Sequence, residues 1–333
     1  MRRRGFLSGL AASAAAAPVA ACAAAADASV RTFKPRNGFS VYAVAFAPDG
    51  RSFLHGDGNG GMTLWDPASG RELRNFDTRQ FGIDALAFAP DGRTALSGGR
   101  LQAYVKLWDI GSGVEIRTFS DDASHQWSHV DDVKAVAFAP DGRSALSCSE
   151  NVKLWDLATG ALLRTFTGHA KRVNAVAFLP DSKTALSCSG DETIRLWDLA
   201  SGQVLRSFAG HRREVFSVVA SADGRLALSG GYDGMMLWDV ASGERLRAFS
   251  GSAVLINQVA LSPDNRTALS GSGNSVLGGS DAGLTLWDVA TGKELRRLLG
   301  HSGPVYAVAF APDGRSALSG SRDGIKLWDL TRT

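Results

Sequence analysis

Residues 168–208 read GHAKRVNAVAFLPDSKTALSCSGDETIRLWDLASGQVLRSF. From residue 173 to residue 178 small side chains alternate with larger or polar ones, which is the period of a β-strand with both faces covered. Pro180-Asp181-Ser182 then predicts a turn, because proline fixes φ and a small polar residue tolerates the strained dihedral angles. Residues 184–188, 193–198 and 204–208 predict three more strands, and none of the stretch shows helical periodicity.

This four-stranded unit recurs along the chain, and each copy carries the tripeptide Leu-Trp-Asp at the end of its third strand. The tryptophans of these tripeptides are Trp65, Trp108, Trp155, Trp197, Trp238, Trp287 and Trp328, in steps of 41 to 49 residues. One unit cannot bury both of its faces alone, so the units must stack. A ring hides the end faces that a linear stack leaves exposed.

The seven Leu-Trp-Asp tripeptides, several of them preceded by a Gly-His pair at a fixed distance, resemble the WD-repeat (WD40) family over most of the chain. The resemblance implies an all-β fold, a seven-bladed β-propeller with four-stranded antiparallel blades. We therefore expect residues 27–333 to form a single domain, although the chain length alone favours two.

The last unit lacks a fourth strand, since only residues 330–333 follow its Leu-Trp-Asp tripeptide. Residues 30–33 (VRTF) match the fourth-strand sequences at 116–119 (IRTF) and 163–166 (LRTF). We expect the N-terminal strand to pair beside the C-terminal one, closing the ring and covering an exposed sheet edge.

In the WD-repeat family a histidine, a serine or threonine, an aspartate and the tryptophan form a buried hydrogen-bonded network in each blade, and the resemblance carries this role over to three complete sets. They are His169, Ser187, Asp191 and Trp197; His211, Ser229, Asp233 and Trp238; and His301, Ser319, Asp323 and Trp328. A fourth set, with His129, Ser147 and Trp155, lacks the aspartate. A catalytic triad does not recur blade after blade, so we interpret these residues as structural.

Three cysteines are present, and they predict no disulfide framework. Cys148 and Cys188 occupy the same strand position in neighbouring units. Facing sheets are about 10 Å apart, which is too far for a disulfide, so we expect two buried thiols.

The charge balance excludes two classes of protein. The chain carries 36 Lys and Arg against 33 Asp and Glu, a formal charge of +3, and Arg2, Arg3 and Arg4 are the only charged residues before Asp27. The remainder is neutral. A nucleic-acid binder or a polybasic membrane-surface protein needs a basic stripe, and we expect neither.

Residues 1–26 predict an export signal, with three arginines, an alanine-rich apolar stretch and small residues before Asp27. Arg3-Arg4-Gly5-Phe6-Leu7 resembles the twin-arginine signal, whose pathway carries folded proteins. Val19-Ala20-Ala21-Cys22 resembles the bacterial lipoprotein box, which implies a lipid on Cys22 and membrane anchoring. The alternative is cleavage after Ala26, which yields a soluble periplasmic protein.

One position varies between the copies while its surroundings repeat: the residue that follows Val or Ile at the start of the first strand. It reads Tyr42, Asp84, Lys134, Asn174, Phe216, Asn257 and Tyr306. In the WD-repeat family this position lines the top surface at the mouth of the central channel, where partners dock. Aromatic residues are enriched in binding hot spots, so we expect these residues to contact a protein or peptide.

Two insertions point to the same surface. The connection from Ser120 to Ser128 contains Trp127, the one tryptophan outside the tripeptides, and the connection from Gly271 to Gly283 is rich in glycine and serine. Long loops on a rigid scaffold commonly carry recognition. We include Trp127 among the expected contacts, with packing inside its own loop as the alternative.

Motifs for chemistry are nearly absent from the sequence. Residues 56–61 (GDGNGG) fit a dinucleotide-binding pattern, but they fall in a turn with no helix after it. No zinc spacing, phosphate loop or nucleophile elbow is found, so we expect no cofactor, no metal and no catalytic residue.

The sequence therefore favours a monomeric, non-catalytic, exported scaffold. The alternatives are an exported enzyme or small-ligand binder that uses Asp84 and Lys134, and a cytoplasmic assembly hub if the leader is retained.

Overall fold

A computed structural model of the chain describes residues 29–100, 104–120, 132–249, 255–273 and 283–331. These residues form seven sheets of four antiparallel strands, which are the blades of a propeller. The all-β, seven-bladed architecture expected from the sequence is confirmed, and the described residues contain no helix.

The strands follow the repeats in chain order. The first, β1 (Arg31–Phe33), precedes blade one, which is built from β2 (Val41–Phe46), β3 (Phe53–Asp57), β4 (Met62–Trp65) and β5 (Glu72–Phe76). Blade two contains β6 (Phe81–Phe88), β7 (Thr94–Arg100), β8 (Val105–Asp109) and β9 (Glu115–Phe119). Blade three contains β10 (Ala135–Phe138), β11 (Ser144–Cys148), β12 (Val152–Asp156) and β13 (Leu162–Phe166). Blade four contains β14 (Val173–Phe178), β15 (Thr184–Ser189), β16 (Ile194–Asp198) and β17 (Val204–Phe208).

The remaining blades have the same plan. Blade five contains β18 (Val215–Ala220), β19 (Leu226–Gly231), β20 (Gly234–Asp239) and β21 (Arg245–Ala248). Blade six contains β22 (Ile256–Leu261), β23 (Thr267–Ser272), β24 (Gly283–Asp288) and β25 (Glu294–Leu298). Blade seven contains β26 (Val305–Phe310), β27 (Ser316–Ser321) and β28 (Gly324–Asp329). We call the end of the ring where the first strands begin the top face, and the opposite end the bottom face.

Blade seven takes its fourth strand from the other end of the chain, as expected. Strand β1 pairs antiparallel with β28, with Arg31 opposite Leu327 and Phe33 opposite Ile325. The ring of Phe33 also lies 5.6 Å from that of Trp65 in blade one. The closing strand therefore joins blade seven and contacts blade one at the same time.

The hydrophobic core is divided among the seven junctions between neighbouring blades. At the junction of blades four and five, Cys188, Ile194 and Phe208 pack against Val215 and Trp238 of the next blade. Phe208 and Trp238 have ring centroids 6.0 Å apart in an edge-on arrangement, and similar pairs recur around the ring. Six of the seven repeat tryptophans are less than 2% exposed. The large apolar side chain of each Leu-Trp-Asp tripeptide thus holds one blade against the next.

A second set of contacts joins the blades near the bottom face. Each fourth strand contributes an arginine that donates hydrogen bonds to backbone carbonyls of the next blade. In six cases the acceptors lie in the turn between the third and fourth strands, whereas Arg296 donates to Asp329 O at the end of the third strand of blade seven. These arginines are Arg31, Arg74, Arg117, Arg164, Arg206, Arg247 and Arg296. Arg31, on the closing strand, reaches Ser69 O at 2.6 Å and Ala68 O at 2.9 Å. We call this set the arginine ring, which the repeat pattern did not lead us to predict.

Candidate functional site

β-Bulges position the varied residues of the first strands. In six blades the ladder between the first and second strands shifts register at the varied position, so that residue has no partner in the ladder. In blade three, β10 begins at Ala135, directly after Lys134. A bulge bends its strand and re-aims the unpaired side chain. In these six blades the varied residue therefore lies outside the ladder of backbone hydrogen bonds that its neighbours form.

The seven varied residues meet around a single cavity. A cavity of about 390 Å³ at the top mouth of the channel is lined by Tyr42, Asp84, Lys134, Asn174, Phe216, Asn257 and Tyr306, together with side chains that include Arg100, Arg172, Glu214 and Gln258. All seven varied residues are half-buried. The structure therefore brings together residues that are spread over most of the sequence.

One side of the mouth is aromatic. Tyr42 of blade one and Tyr306 of blade seven have ring centroids 4.9 Å apart. The guanidinium of Arg100 lies over the Tyr42 ring, 4.6 Å from its centroid. Such cation–π contacts contribute about 0.5–1 kcal/mol at exposed sites, so the pair presents a partly fixed amphipathic surface.

A cluster of ion pairs connects blades two and three. Arg100 donates two hydrogen bonds to Asp84, at 2.7 and 3.2 Å, and Lys134 Nζ lies 3.3 Å from Asp84 and 3.0 Å from Asp132. Burial acts to lower the pKa of Arg100, but the charge of Asp84 and its hydrogen bonds outweigh burial and raise this pKa. The charges at this part of the mouth therefore neutralise one another.

The two asparagines at the mouth connect blades directly. The side-chain amide of Asn174 donates to Val215 O at 2.8 Å and to Glu214 at 3.1 Å, and both acceptors are in blade five. Asn257 donates to Val305 O of blade seven at 2.9 Å and to Gly273 O at 3.0 Å. Both amides donate hydrogen bonds to a neighbouring blade, so the varied position contributes to blade packing as well as to the lining of the mouth. That they also contact a partner stays a prediction.

Phe216 of blade five lies across the mouth from the tyrosine pair of blades one and seven. Its ring lies 5.0 Å from that of Tyr232, and the Arg213 guanidinium lies 5.7 Å from the Tyr232 centroid. Aromatic side chains therefore stand on both sides of the mouth.

The three complete histidine networks have the same geometry. In blade four, Trp197 Nε1 donates to Ser187 Oγ at 2.7 Å, the same oxygen lies 2.7 Å from His169 Nε2, and His169 Nδ1 lies 2.8 Å from Asp191. Blades five and seven repeat this arrangement with His211, Ser229, Asp233 and Trp238, and with His301, Ser319, Asp323 and Trp328. One proton arrangement satisfies every member, with the serine hydroxyl donating to the histidine and the histidine to the aspartate.

Burial and hydrogen bonding perturb the pKa values of these groups. Desolvation lowers the pKa of His169 and of His211, and the neighbouring aspartates oppose it only in part. Burial acts to raise the pKa of Asp191, but hydrogen bonds from Thr193, from the Ala170 N–H and from His169 outweigh it, so this pKa lies below its usual range. The serines are fully buried. The histidine rings are buried as well, and the aspartates lie at the outer end of each network with side chains 8–25% exposed. The networks therefore satisfy polar groups between the strands.

In blades one and two, other residues replace a member of the hydrogen-bonded network, which the sequence did not lead us to predict. In blade one His55 stands at the serine position, and Trp65 Nε1 donates to its Nδ1 at 2.8 Å. In blade two Gln80 takes the place of the histidine and accepts from Ser97 Oγ at 2.8 Å. Leu-His-Gly at residues 54–56, where other copies read Leu-Ser-Gly or Leu-Ser-Cys, is the signal that identifies the first substitution.

The cysteine prediction is confirmed. Cys148 and Cys188 are both buried and free. Burial raises the pKa of the Cys148 thiol to about 12 and raises that of Cys188 as well. Both thiols therefore stay protonated and are poor nucleophiles at neutral pH.

Several predicted residues lie outside the described part of the chain. They are Cys22 and the rest of the leader, Trp127 and His129. Within the described ranges, no group of three or more histidine, cysteine, aspartate or glutamate side chains is arranged to hold a metal ion. In those same ranges no helix is long and apolar enough to cross a membrane.

Comparison with protein families identifies the repeats. The family model WD40, described as WD domain, G-beta repeat, matches residues 27–66, 70–109, 116–156, 160–198, 202–239 and 292–329. The unmatched stretch between residues 240 and 291 contains the first three strands of blade six, which has no Gly-His pair and a longer connection between β23 and β24. No curated protein matches the chain. Because the matched stretches cover more than half of the sequence and the blades are complete, the chain belongs to the WD40 family.

Proposed function

We propose that this protein is a non-catalytic, exported scaffold that binds a protein or peptide through its top face. A WD40 propeller is consistent with a protein-interaction scaffold. The observation that carries the proposal is the convergence of all seven varied residues on one mouth. The residues that build the junctions repeat from blade to blade, so a varied position whose seven members line one cavity favours recognition there.

The mouth has the composition of a protein-contact surface. Tyr42, Phe216 and Tyr306 supply aromatic area, and the Asp84–Arg100–Lys134 cluster supplies directional polar groups. Tyrosine and arginine are over-represented at the centres of protein interfaces. The half-buried side chains of the top mouth are held by their neighbours, so little conformational entropy is lost when a partner binds.

The test is partner capture from membrane and soluble fractions of the native cell by the full chain and by the variant Y42A/F216A/Y306A. We expect the variant to lose a partner that the wild type retains. A matched control, L163A/L205A/L246A, removes three half-exposed leucines from the outer strands of blades three, four and five. If the wild type and both variants capture the same proteins, the proposal is wrong.

A second candidate function is an exported enzyme or small-ligand binder. The observation that favours it is the half-buried ion cluster of Asp84, Arg100 and Lys134 beside an open cavity. Calorimetric titration of the purified protein with cell extract fractionated below 1 kDa tests it. Binding of a small molecule that is lost in Asp84→Asn, with no protein partner captured, supports this candidate over the scaffold.

Export rests on the leader sequence, with Arg3-Arg4 as the expected twin-arginine pair. Cell fractionation of the wild type and of R3K/R4K tests it, and we expect only the wild type to leave the cytoplasm. Retention of both in the cytoplasm favours the assembly hub. Mass spectrometry of the mature N-terminus separates a lipidated Cys22 from an unmodified start at Asp27.

A further inference from the structure

A second set of varied residues lies two positions before the Val or Ile that precedes each residue of the mouth. In the described blades it reads Phe39, Phe81, Lys171, Arg213 and Gly303, for blades one, two, four, five and seven. The aromatic members and the cationic members fall in separate pairs of adjacent blades. Among these five positions, the top face therefore has an aromatic half at blades one and two and a cationic half at blades four and five.

The aromatic half lies over blades one and two. Phe39 is 45% exposed and Phe81 is 61% exposed, and they are the only aromatic side chains among the exposed large hydrophobic residues of the described chain. Phe81 stands opposite Arg100 in the extended first hairpin of blade two, and Arg100 reaches the Tyr42 ring. This half therefore continues the aromatic side of the mouth outward.

The cationic half lies over blades four and five. Lys171 and Arg213 line a cleft of about 680 Å³ together with Tyr232, Glu192 and Glu214. Neither cation forms an ion pair with a residue in the ranges that the structure describes, and both are exposed. Glu214 already accepts a hydrogen bond from Asn174. Two exposed cations thus line one cleft without a carboxylate bound to either of them, and the Arg213 guanidinium lies 5.7 Å from the Tyr232 ring centroid.

We propose that the top face binds an extended peptide segment with apolar residues at one end and acidic residues at the other. The apolar end lies on Phe39 and Phe81, the chain crosses the mouth beside Tyr42 and Tyr306, and the acidic end lies between Lys171 and Arg213. This inference rests on the proposed scaffold function and names its partner class. Unpaired cations favour a carboxylate because the ion pair forms without breaking an existing one.

The test measures fluorescence anisotropy of labelled synthetic peptides with the full chain. Each peptide has Trp-Leu at one end and Glu-Asp-Glu at the other, in both orders, separated by four to eight Gly and Ser residues that span roughly 13–29 Å when extended. Matched analogues carry Gln-Asn-Gln or Lys-Lys-Lys in place of the acidic end, or Ala-Ala in place of Trp-Leu.

We expect the apolar–acidic peptide to bind about tenfold more tightly at low salt than its amide analogue. K171E/R213E should lose this preference, F39A/F81A should lose the preference for Trp-Leu over Ala-Ala, and Glu192→Gln should strengthen binding by removing a like charge. The control K183E/R225E changes two exposed cations on the bottom face of the same two blades and should have no effect.

Three results overturn the inference: equal binding of the acidic and amide peptides, no binding of any peptide at millimolar concentration, or binding of phosphatidylserine vesicles in place of the peptides. Self-association abolished by F39A/F81A also overturns it, because the face is then covered by a second copy. If partner capture depends on Tyr42, Phe216 and Tyr306 while peptide charge has no effect, the inference fails and the proposed function stands.

Discussion

The two ends of the channel differ in chemistry although the same seven repeats build both. The bottom mouth is a cavity of about 430 Å³ lined by Val, Ala, Phe, Leu, Pro, Ser and Asn, without a charged residue among those lining side chains. The top mouth, of about 390 Å³, has charged residues of both signs and three aromatic residues. The bottom cavity is made by the ends of four first strands and the turns that follow them, which read Ala-Phe-Ala-Pro in blades one and seven, and the top by the position that varies. The residues that repeat therefore build the fold, and the residues that vary determine the chemistry of the top mouth.

The strongest way to break this comparison is to open the ring. Deletion of residues 29–34 removes Phe33 from a core junction and Arg31 from the arginine ring. We expect the free energy of unfolding to fall by at least about 4 kcal/mol, since loss of a buried Phe alone costs about 3–5 kcal/mol. Urea denaturation followed by tryptophan fluorescence measures it. An unchanged midpoint would mean that the closing strand does not hold the ring together.

A smaller effect is expected where the arginine ring meets the bottom turns. Gly160 has φ +78° and a Cβ there would lie 2.5 Å from Arg117 Cδ, whereas Gly142 has φ +69° and nothing within 4 Å of such a Cβ. Gly142→Ala should cost about 1–2 kcal/mol for the left-handed backbone alone. Gly160→Ala should cost about 1 kcal/mol more, because it also displaces a hydrogen-bonded arginine. Equal losses of thermal stability in the two variants would show that Arg117 contributes little.

The histidine networks predict how stability depends on pH. The pKa values of His169 and His211 are lower in the folded chain than the ordinary value of 6.5, so the unfolded chain binds protons first as pH falls. Their contribution is fully present above pH 6.5 and is lost as pH falls below it toward the folded pKa.

His211→Gln should therefore lower the unfolding free energy by about 1–3 kcal/mol at pH 7.5. It should also reduce the slope of stability against pH between 7 and 5 relative to the wild type. Chemical denaturation across that range measures both quantities, with Asp84→Asn at the mouth as the control. A slope unchanged by His211→Gln contradicts the expectation.

The smallest effects on stability are expected at the top mouth, where the individual residues should differ in their roles. Asn257→Ala should lower stability by about 1 kcal/mol, because it leaves two backbone carbonyls of neighbouring segments without their amide donor. Tyr306→Ala should have less effect on stability and more on partner capture. If the two variants lose equal stability and equal binding, the varied position has one role in all blades.

Much of this organisation was predictable from the sequence. The four strands of residues 168–208, the ring of seven blades and the closing strand at residues 30–33 follow from local periodicity and repetition. The complete histidine networks follow from three matching copies. Blades one and two were harder, since His55 stands where the other copies have serine and Gln80 takes the place of the histidine, and no repeat pattern encodes either substitution.

The sequence by itself determined the fold, because alternation, turn residues and the Leu-Trp-Asp tripeptide act within a repeat of about 40 residues, the unit length of a propeller blade. Only the tertiary structure decided which varied residues are tied to neighbouring blades. Asp84 and Lys134 interact across 50 positions, and Asn174 reaches Val215 across 41. Such contacts depend on how one blade stacks against the next, and no local pattern encodes that. The arginine ring and the two halves of the top face have the same physical origin.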